Sequence, residues 1–477
     1  MSNKYKLNWT QLLSEDRERK SNAQVAPHRN GFDMDYDRII SSSSFRRLQD
    51  KAQVFPLQAN DFTRTRLTHS LEVSALGRSF GQRVSGWLLE NEEIDSDEIA
   101  RKIPSLLSVA CLVHDLGNPP FGHYGEDIIR KWFTKWFGSE EYKKLNDKYK
   151  ATTGEDLLTN IQKKDFEYFE GNAQSIRILS RLQFLNDQHG INFTFGTLAT
   201  LIKYPWNSSS EDALRKKKFG YFSSEKDLFA QIRENTGLSG TIRHPLTYLL
   251  EAADDIAYLA ADVEDGVKKG AVPWEVAYEM AKTALGSSYE ENFKYLEKLR
   301  KQASLNEVPD KDLVNVQNFK IWVQGEMFNQ ACNAFFDNYP QIMNGTFTGD
   351  LLGKSHAADI QKFLIELAVK YCYCDEEVLT LELVGDSVLE SLMDLFVFAV
   401  ANDDGNFKTK SKNGKLFNLI SPNFRHIQKL DESGLPKNNF NDISLYNKLI
   451  LITDFMSGMT DSYAVNLHQK LTGVKLP

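Results

Sequence analysis

The sequence predicts a mainly α-helical protein. Two patterns support that fold class, scarce strand signals and repeated helical stripes, and the composition indicates a folded globular chain. Strand-like alternation of polar and apolar residues is scarce, and the Asn-Gly pairs at 344–345 and 413–414, candidates for hairpin turns, belong to no strand–helix–strand pattern. The composition, with 41% hydrophobic and 26% charged residues, is that of an ordinary globular chain. Four segments repeat apolar residues every three or four positions, as helices with one buried face do: 127–137, 246–265, 355–373 and 376–401.

The domain organisation is expected to be simple. A chain of 477 residues would on average form about three domains, but no long linker, internal repeat or low-complexity tract divides this one. We expect a core with an N-terminal arm over 1–275. A C-terminal helical region over 276–477 is expected to pack on that core as one continuous body.

Charge and cysteine content exclude two classes of protein. A net charge of -8 argues against a surface adapted as a whole to nucleic acid, and the basic runs 215–218 and 408–415 are typical of solvated loops or helix ends. Four scattered cysteines cannot form a disulfide framework in a chain of this size. Cys372 and Cys374 are expected to be half-buried core thiols.

Neither a signal peptide nor a membrane span is expected. The first 20 residues lack an apolar core. The longest apolar stretch, 392–401, is interrupted by Asp394 and is far shorter than the roughly 20 residues that cross a bilayer. We therefore expect a cytoplasmic protein that makes no contact with a membrane.

A His-Asp pair, His114 and Asp115, follows the apolar run 106–113. Adjacent helical residues point about 100° apart, so both side chains can reach one ion only at the rim of a cleft. A capping or surface pair explains the dipeptide equally well. Upstream, Arg66 and His69 are three apart and would share one side of a helical turn, although a helix start capped by Thr68 fits that segment too.

The segment 246–265 carries the most specific signal. Asp254, Tyr258 and Asp262 are spaced four apart, which places two carboxylates and a phenol on one face of a helix that is apolar on most sides. A buried carboxylate needs a cation, a hydrogen-bond donor or a metal ion. A metal ligand is the interpretation we favour, and an internal salt bridge is the alternative. Pro245 suits the first turn of this helix.

Two imidazoles and two carboxylates would form a mixed nitrogen and oxygen site for a divalent ion. Mn²⁺, Mg²⁺, Fe²⁺, Co²⁺ and Zn²⁺ all suit such a site, and the residues do not choose among them. Such an ion polarises phosphoryl oxygens, so the sequence indicates phosphoryl chemistry.

Seven segments, in this order, resemble the bacterial deoxyguanosinetriphosphate triphosphohydrolases (dGTPases) of the HD superfamily: RRLQDKAQVFP (46–56), TRLTHS (65–70), HDLGNPPFGH (114–123), FEGNAQ (169–174), LIKY (201–204), EAADDIAY (251–258) and SGMTD (457–461). The resemblance runs nearly end to end. It implies a large helical HD-domain bundle with a C-terminal helical extension.

The resemblance also implies roles for individual residues. The implied metal ligands are His69, His114, Asp115 and Asp254. The implied acid/base pair is His123 with Glu126, which are neighbours if that stretch is helical. His123 would then lie at the α-phosphate, made more basic by the Glu126 carboxylate. From the residues alone, a loop position in the Pro-Pro-Phe-Gly turn fits His123 as well.

The implied substrate-binding residues are Gln53, Arg66, Asn118, Lys203, Tyr204, Lys218, Tyr258, Asp262 and Glu382. The cations would meet the triphosphate, with the register at Lys218 left open by its lysine neighbours. Tyr258 against the sugar ring would leave no room for a 2′-hydroxyl. In some family members a neighbouring subunit supplies a glutamate, which Glu382 matches, and an arginine, near which this chain has Lys448.

The implied activity is metal-dependent hydrolysis of dGTP to deoxyguanosine and inorganic triphosphate by attack at the α-phosphorus. The implied assembly is a homo-oligomer, hexamer or tetramer, with single-stranded DNA as an effector in some cases. Two alternatives stay open. One is an HD phosphohydrolase with broader dNTP or 5′-nucleotidase specificity, and the other is a regulator responsive to nucleotides or nucleic acid that uses the pocket as a sensor.

Overall fold

The computed structural model describes residues 5–20, 28–55, 63–183, 187–401, 407, 409–430, 434–436, 440 and 443–475. Across these ranges the regular elements are helices, and β-structure is limited to isolated bridges such as that between Arg17 and Thr194. The predicted mainly α fold class is confirmed. Over the same ranges, none of the helices combines the length and apolar character needed to cross a membrane.

In chain order the α-helices are α1 (Trp9–Leu12), α2 (Gly31–Ile40), α3 (Ser43–Arg47), α4 (Arg66–Glu90), α5 (Asp97–Val113), α6 (Gly122–Phe137), α7 (Glu140–Thr153), α8 (Asn160–Glu167), α9 (Gly171–Arg177), α10 (Phe195–Leu201), α11 (Glu211–Lys216), α12 (Lys226–Asn235), α13 (Pro245–Lys269), α14 (Trp274–Leu285), α15 (Glu290–Leu305), α16 (Lys311–Asp337), α17 (Tyr339–Met343), α18 (Ala358–Leu367), α19 (Glu376–Ala401), α20 (Lys412–Leu419), α21 (Pro422–Ile427), α22 (Leu445–Ser457) and α23 (Asp461–Thr472). Short 3₁₀ turns lie at Leu48–Asp50 and Ser223–Glu225, and π-helical turns extend α9 and α18 over Ile178–Leu182 and Ala368–Cys372.

The chain divides into two compact units, each built from three separate stretches of sequence. Unit 1 comprises Met1–Leu13, Gln53–Leu112 and His244–Thr380. Unit 2 comprises Ser14–Ala52, Val113–Arg243 and Leu381–Pro477. Each unit therefore contains residues from both sides of position 275, and the division of the chain at that position stays a prediction.

Unit 1 is organised around α13, which packs against α4 and α16. The helix buries residues on most of its sides, as its composition predicts, and it begins with Pro245 in its first turn. Two glycines of α4 allow α5 to lie close to it. A Cβ atom at Gly77 would come within 2.4 Å of Cys111 Sγ, and one at Gly81 within 2.4 Å of Pro104 Cα. Any larger residue at either position would push the two helices apart.

Unit 2 has an aromatic core in which the predicted stripe of α6, including Trp132 and Phe133, packs with residues of α19 and α22. Asp394, the charged residue that interrupts the apolar run 392–401, accepts a 2.8 Å hydrogen bond from Trp132 Nε1. The polar atom of the tryptophan is thereby satisfied inside the core. The core also fixes the start of α6, which carries part of the candidate site.

Three local expectations are corrected by the structure. The segment 355–373 is not one α-helix, because α18 ends at Leu367 and the chain continues as a π-helical turn. The Asn-Gly pair at 413–414 lies inside α20 and forms no hairpin. Cys372 is fully buried, with its Sγ 3.4 Å from the Asp262 carbonyl oxygen, whereas Cys374 is exposed, so the expected pair of half-buried thiols is wrong.

His244 is expected to make unit 1 sensitive to acid. The buried ring accepts the Leu246 backbone N–H and lies 3.1 Å from the Leu12 carbonyl oxygen, and burial lowers the pKa of His244 from 6.5 to about 4. Because the folded pKa is the lower one, the unfolded chain takes up the proton first. Stability is therefore complete above pH 6.5 and falls by up to about 3 kcal/mol as the pH drops to 4.

Urea unfolding between pH 7 and pH 4 measures this effect. The His244→Asn variant keeps an N-cap acceptor and does not titrate in that range, so its stability should depend less steeply on pH. The difference between the two proteins isolates His244 from the carboxylates, which titrate in both. Parallel curves for the two proteins would contradict the prediction.

Candidate active site

The N-terminus of α4 positions two predicted site residues in unit 1. Thr65 caps this helix and exchanges hydrogen bonds with Thr68, so the cap is Thr65 and not Thr68. Arg66 begins the helix and His69 follows one turn later, and both side chains are buried. The spacing of three residues places them on one side of the first turn, as predicted.

His69 meets Asp254 across the contact of α4 with α13. The His69 Nε2 atom lies 3.2 Å from Asp254 Oδ1. The imidazole is 1% exposed, while the carboxylate keeps 21% of its surface exposed. A buried imidazole beside a partly open carboxylate offers the donor types that divalent transition metals bind.

The predicted face of α13 is present, but its most deeply buried carboxylate is Asp262, not Asp254. Asp262 accepts a 3.0 Å hydrogen bond from the Tyr373 hydroxyl. Burial, helped by the charge of Asp265 and opposed by nearby arginines, raises the pKa of Asp262 to about 7. Burial and three neighbouring aspartates raise the pKa of Tyr258, so its phenol stays neutral. Tyr373 was missed, because no spacing in its own segment points to Asp262.

Gln53, predicted to contact the sugar, lies at the start of the second stretch of unit 1. Its Oε1 atom is buried and has no hydrogen-bond partner within the part of the chain that the structure describes. A buried acceptor without a donor is costly. The amide is therefore suited to accept a hydrogen bond from a ligand.

His114 and Asp115 stand in unit 2, in the turn that directly follows α5. The His114 Nε2 atom lies 3.6 Å from Asp115 Oδ1. Asn118 Nδ2 donates a 2.8 Å hydrogen bond to the same Asp115 oxygen, which orients the carboxylate. Two hydrogen bonds with Ser175 hold the turn in place. The Ser175 hydroxyl accepts from the Gly117 N–H and donates to the His114 carbonyl oxygen.

Gly117 is required by close backbone approach. A Cβ atom there would lie 2.1 Å from the Gly171 carbonyl oxygen and 2.3 Å from the Ser175 nitrogen. Gly117→Ala should therefore displace the turn, destabilise the protein by about 1–3 kcal/mol and lower the expected hydrolytic activity about 10²-fold or more. Thermal melts and initial rates measure both effects.

Gly86 of α4 provides the matched control. A Cβ atom at that position would meet nothing within 4 Å, so Gly86→Ala should leave activity unchanged and stabilise the helix by about 0.5–1 kcal/mol. If Gly117→Ala matched Gly86→Ala in stability and activity, the turn at Gly117 would accommodate a Cβ atom, contrary to our expectation.

His123 and Glu126 occupy the first turn of α6, so His123 is helical and not a loop residue. Phe121 precedes the helix with a left-handed φ of 63°. The His123 Nδ1 atom lies 3.3 Å from Glu126 Oε2, as the spacing predicts. The imidazole is 72% exposed and the carboxylate 2%. The Nδ1 side of the ring therefore faces a fixed carboxylate.

Glu126 is held as an anion by its surroundings. Burial alone would raise the pKa of Glu126, but the hydrogen bond and charge of His123, with the charges of Arg130 and Lys218, lower it to about 2. Its other oxygen accepts a 2.9 Å hydrogen bond from the Gly171 N–H. An ionised carboxylate at Nδ1 orients the imidazole and stabilises its protonated form.

Lys218, one of the predicted phosphate-binding residues of unit 2, lies close to Glu170 and Tyr204. Lys218 Nζ is 3.8 Å from Glu170 Oε1 and 5.6 Å from the centre of the Tyr204 ring. Burial lowers the pKa of Lys218, and the charges of Glu170, Tyr204 and Glu126 outweigh this and raise it, with Lys203 opposing. The charge of Lys218 also helps to lower the pKa of Glu126, and the role of Lys218 at a triphosphate stays a prediction.

The segment SGMTD near the C-terminus makes hydrogen bonds, directly and through Lys51, to the residues that join the His-Asp turn to α6. Asp461 accepts hydrogen bonds from the N–H groups of Phe121 at 3.0 Å and Ala52 at 2.8 Å. Lys51 Nζ donates to the carbonyl oxygens of Asn118 at 2.6 Å and Ser457 at 2.8 Å. The resemblance included these residues without roles. Their partners lie from 67 to 409 positions away, so spacing could not reveal them.

Glu382, predicted as a possible contribution from a neighbouring subunit, lies on α19 in unit 2. Burial and the charges of Asp386 and Glu382 raise the pKa of Tyr124, the residue after His123. Burial raises the pKa of Glu382 itself. Lys448 stands with its Nζ 5.7 Å from the centre of the Phe440 ring. The role of Glu382 stays a prediction.

Comparison with known proteins gives a consistent result. Residues 66–182 match the model of the HD domain, a fold of metal-dependent phosphohydrolases. The chain is 40% identical to a deoxyguanosinetriphosphate triphosphohydrolase-like protein of Listeria monocytogenes, over 98% of this chain and 100% of that protein. It is 33% identical to a protein of the same description in Synechocystis, with the same coverage.

A third relative is the deoxyguanosinetriphosphate triphosphohydrolase of Salmonella paratyphi A, at 33% identity over 93% of this chain and 94% of that protein. Together with the matched HD domain, these full-length similarities identify the chain as an enzyme of the phosphohydrolase type. The chain belongs to the deoxyguanosinetriphosphate triphosphohydrolase family.

Proposed function

We propose that the chain hydrolyses dGTP to deoxyguanosine and inorganic triphosphate by attack of water at the α-phosphorus. The observation that carries the proposal is that each unit holds a histidine beside a carboxylate, His69 with Asp254 and His114 with Asp115. Relatives with this activity in their names align over nearly the whole chain, which supports the same substrate.

The two pairs are proposed to hold one divalent ion, with Mn²⁺ or Mg²⁺ first and Co²⁺, Fe²⁺, Zn²⁺ or Ni²⁺ as alternatives. The donor set of two imidazoles and two carboxylates fits such an ion. The polar contact of Asn118 with Asp115 would fix one carboxylate for this purpose. When bound, the ion would supply Lewis-acid stabilisation of charge on the phosphoryl oxygens.

His123 is proposed to act as the general acid. As water forms a bond to the α-phosphorus, the bond from phosphorus to O5′ breaks, and the Nε2 proton of His123 passes to O5′ of deoxyguanosine. The attacking water loses one proton to solvent, and the exposed His123 takes up a proton from solvent again. Glu126 at Nδ1 stabilises the imidazolium before the transfer and fixes the ring so that Nε2 faces outward. The exposure of His123 allows a substrate to reach it.

Four residues are proposed to bind the triphosphate: Arg66, Lys203, Tyr204 and Lys218. A triphosphate carries about four negative charges, and cations at fixed positions offset the charge that develops during transfer. The raised pKa of Lys218 supports its permanent positive charge.

The sugar is proposed to lie against the α13 face, with Gln53 and Asp262 at the 3′-hydroxyl and Tyr258 against the ring. The buried Oε1 of Gln53 and the buried carboxyl of Asp262 are suited to hold a hydroxyl group. A 2′-hydroxyl would clash with Tyr258, which gives a physical reason to prefer deoxynucleotides. Asn118 and Glu382 complete the proposed substrate-binding set.

The family resemblance adds proposals about assembly and setting: a cytoplasmic homo-oligomer, tetramer or hexamer, with single-stranded DNA as an effector. Sedimentation velocity of the purified chain measures the number of subunits, and the same run with single-stranded DNA measures whether the DNA binds.

A nucleotide panel tests the substrate. Metal-stripped protein, with and without added Mn²⁺, is incubated with each dNTP, with GTP and with dGMP, and products are separated by anion exchange. The proposal predicts turnover of dGTP only with the metal, with GTP turned over far more slowly. Equal rates for all four dNTPs would favour a broad dNTPase, and release of phosphate from dGMP a nucleotidase. Binding of dGTP without any turnover would favour a sensor.

A further inference from the structure

We propose that Glu170 is a positioning residue, which holds Lys218 and Arg130 in place and thereby keeps the cation for the triphosphate in register with the His123–Glu126 pair. This inference deepens the proposed function and rests on it. No residue spacing indicates the role, because Glu170 acts on residues 40 and more positions away in the sequence.

The Glu170 carboxylate lies next to the side chains of Arg130 and Lys218 in unit 2. It is fully buried, and its side chain caps α9 by accepting from the Asn172 backbone N–H. Oε1 also accepts a 2.5 Å hydrogen bond from Asn172 Nδ2. Oε2 accepts from Arg130 Nη2 at 3.2 Å, and Oε1 lies 3.8 Å from Lys218 Nζ. The carboxylate therefore stands between the two cations, with its backbone fixed by the start of a helix.

Arg130 connects Glu170 with the acid/base pair. Its Nη2 atom donates to Glu170 Oε2 and to Glu126 Oε2, both at 3.2 Å, and its Nε donates to the Phe169 carbonyl oxygen at 2.6 Å. Glu126 Oε2 is also the atom that faces His123 Nδ1. Since Arg130 is shared, its charge is divided between two carboxylates. Because Glu170 also holds Arg130, the arginine does not take over Glu126 Oε2, and this oxygen stays beside His123 Nδ1.

The charges in this cluster depend on one another. Burial and the charge of Glu126 raise the pKa of Glu170, and the charge of Lys218, the hydrogen bond from Asn172 and the charge of Arg130 oppose this rise. In turn, Glu170 is the group that does most to raise the pKa of Lys218. Loss of the Glu170 charge would therefore remove one of the two carboxylates that both cations share and leave Glu126 as the other.

Two consequences follow for catalysis. Lys218, 33% exposed, would be free to bind a triphosphate more strongly, because the competing carboxylate is gone. Arg130 would move fully onto Glu126 and draw Oε2 away from His123. Glu170 has no exposed surface, so it reaches the substrate only through these neighbours.

The test is Glu170→Gln, which keeps the cap acceptor and removes the charge. Calorimetry with inorganic triphosphate should show binding about fivefold tighter than in the wild type. Steady-state kinetics with dGTP should show kcat about tenfold or more lower, with KM unchanged or lower. A purely structural role would raise KM and weaken triphosphate binding, and that result would overturn the inference, as would wild-type values for both constants.

Two further variants sharpen the test. Asp127→Asn removes a different partner of Arg130, 3.0 Å from Nη1 and 54% exposed, and should change neither constant. Glu170→Asp keeps the charge and a good helix cap but draws the carboxylate back from both cations. It should lower kcat while leaving triphosphate affinity near wild type, so it tests the idea even if the Gln variant does not fold. An unchanged kcat in Glu170→Asp would overturn the positioning role.

Failure of the proposed function is distinguishable from failure of this inference. Triphosphate binding requires no turnover. If wild-type protein binds triphosphate and Glu170→Gln binds it more tightly, while dGTP is not hydrolysed, only the proposed function fails. If dGTP is hydrolysed and the Gln variant matches the wild type in both measurements, only the role of Glu170 fails.

Discussion

Replacing Asp254 with asparagine is expected to lower kcat for dGTP by at least about 10³-fold. The substitution keeps the shape of the side chain but removes the charge that faces His69 Nε2 at 3.2 Å. A metal ion that loses one of two carboxylates binds more weakly and stabilises phosphoryl charge less well. Elemental analysis of the purified variant should show a parallel loss of bound Mn²⁺ after dialysis.

The neighbouring aspartate on the same helix is the control. Asp255 accepts a 3.0 Å hydrogen bond from Gln361 Nε2, so Asp255→Asn changes the same charge on the same turn of α13 outside the proposed ligand set. This variant should retain metal and turnover. If both asparagine variants lose activity equally while keeping the metal, Asp254 acts through the charge of the helix face and is not a ligand.

Removal of the His123 side chain is expected to have the second largest effect. His123→Ala should lower kcat by about 10²–10⁴-fold through loss of the proton donor to O5′, with little change in KM. Because the imidazole is 72% exposed, the melting temperature should stay within about 2 °C of the wild type. Kinetics at saturating dGTP and a thermal melt measure the two quantities.

Chemical rescue distinguishes a proton donor from a binding residue. The open position of His123 leaves room for a free imidazole molecule beside Glu126, which should restore part of the lost turnover of His123→Ala as its concentration rises. His356→Ala removes an exposed histidine elsewhere and should show neither loss nor rescue. A large increase in KM without rescue would assign His123 to substrate binding alone.

Sequence periodicity predicted the parts of the fold that depend on local interactions. The apolar stripe of 376–401 corresponds to α19 within the same bounds, and 246–265 lies inside α13. The π-helical turn after α18 was not predicted, because its side chains keep a helical pattern while the backbone hydrogen bonds widen by one residue. Asn413–Gly414 was misassigned because an Asn-Gly pair is tolerated inside the short helix α20.

The candidate site likewise has a part that local spacing predicted and a part that it did not. His123 and Glu126 were predicted as neighbours because a helix brings residues three apart together. Arg130, Glu170 and Asp461 were not predicted, because contacts such as Arg130 with Glu170 and Asp461 with Phe121 join residues 40 and 340 positions apart, and no local pattern specifies such pairs. Burial was also misjudged, since an apolar flank could not show that Asp262 lies deeper than Asp254.

The products formed from dGTP in H₂¹⁸O test the central claim most directly. With Mn²⁺ present, mass spectrometry should find one ¹⁸O atom in inorganic triphosphate and none in deoxyguanosine, because water attacks the α-phosphorus and the P–O5′ bond breaks. Formation of dGMP with pyrophosphate, or ¹⁸O in deoxyguanosine, would contradict the account.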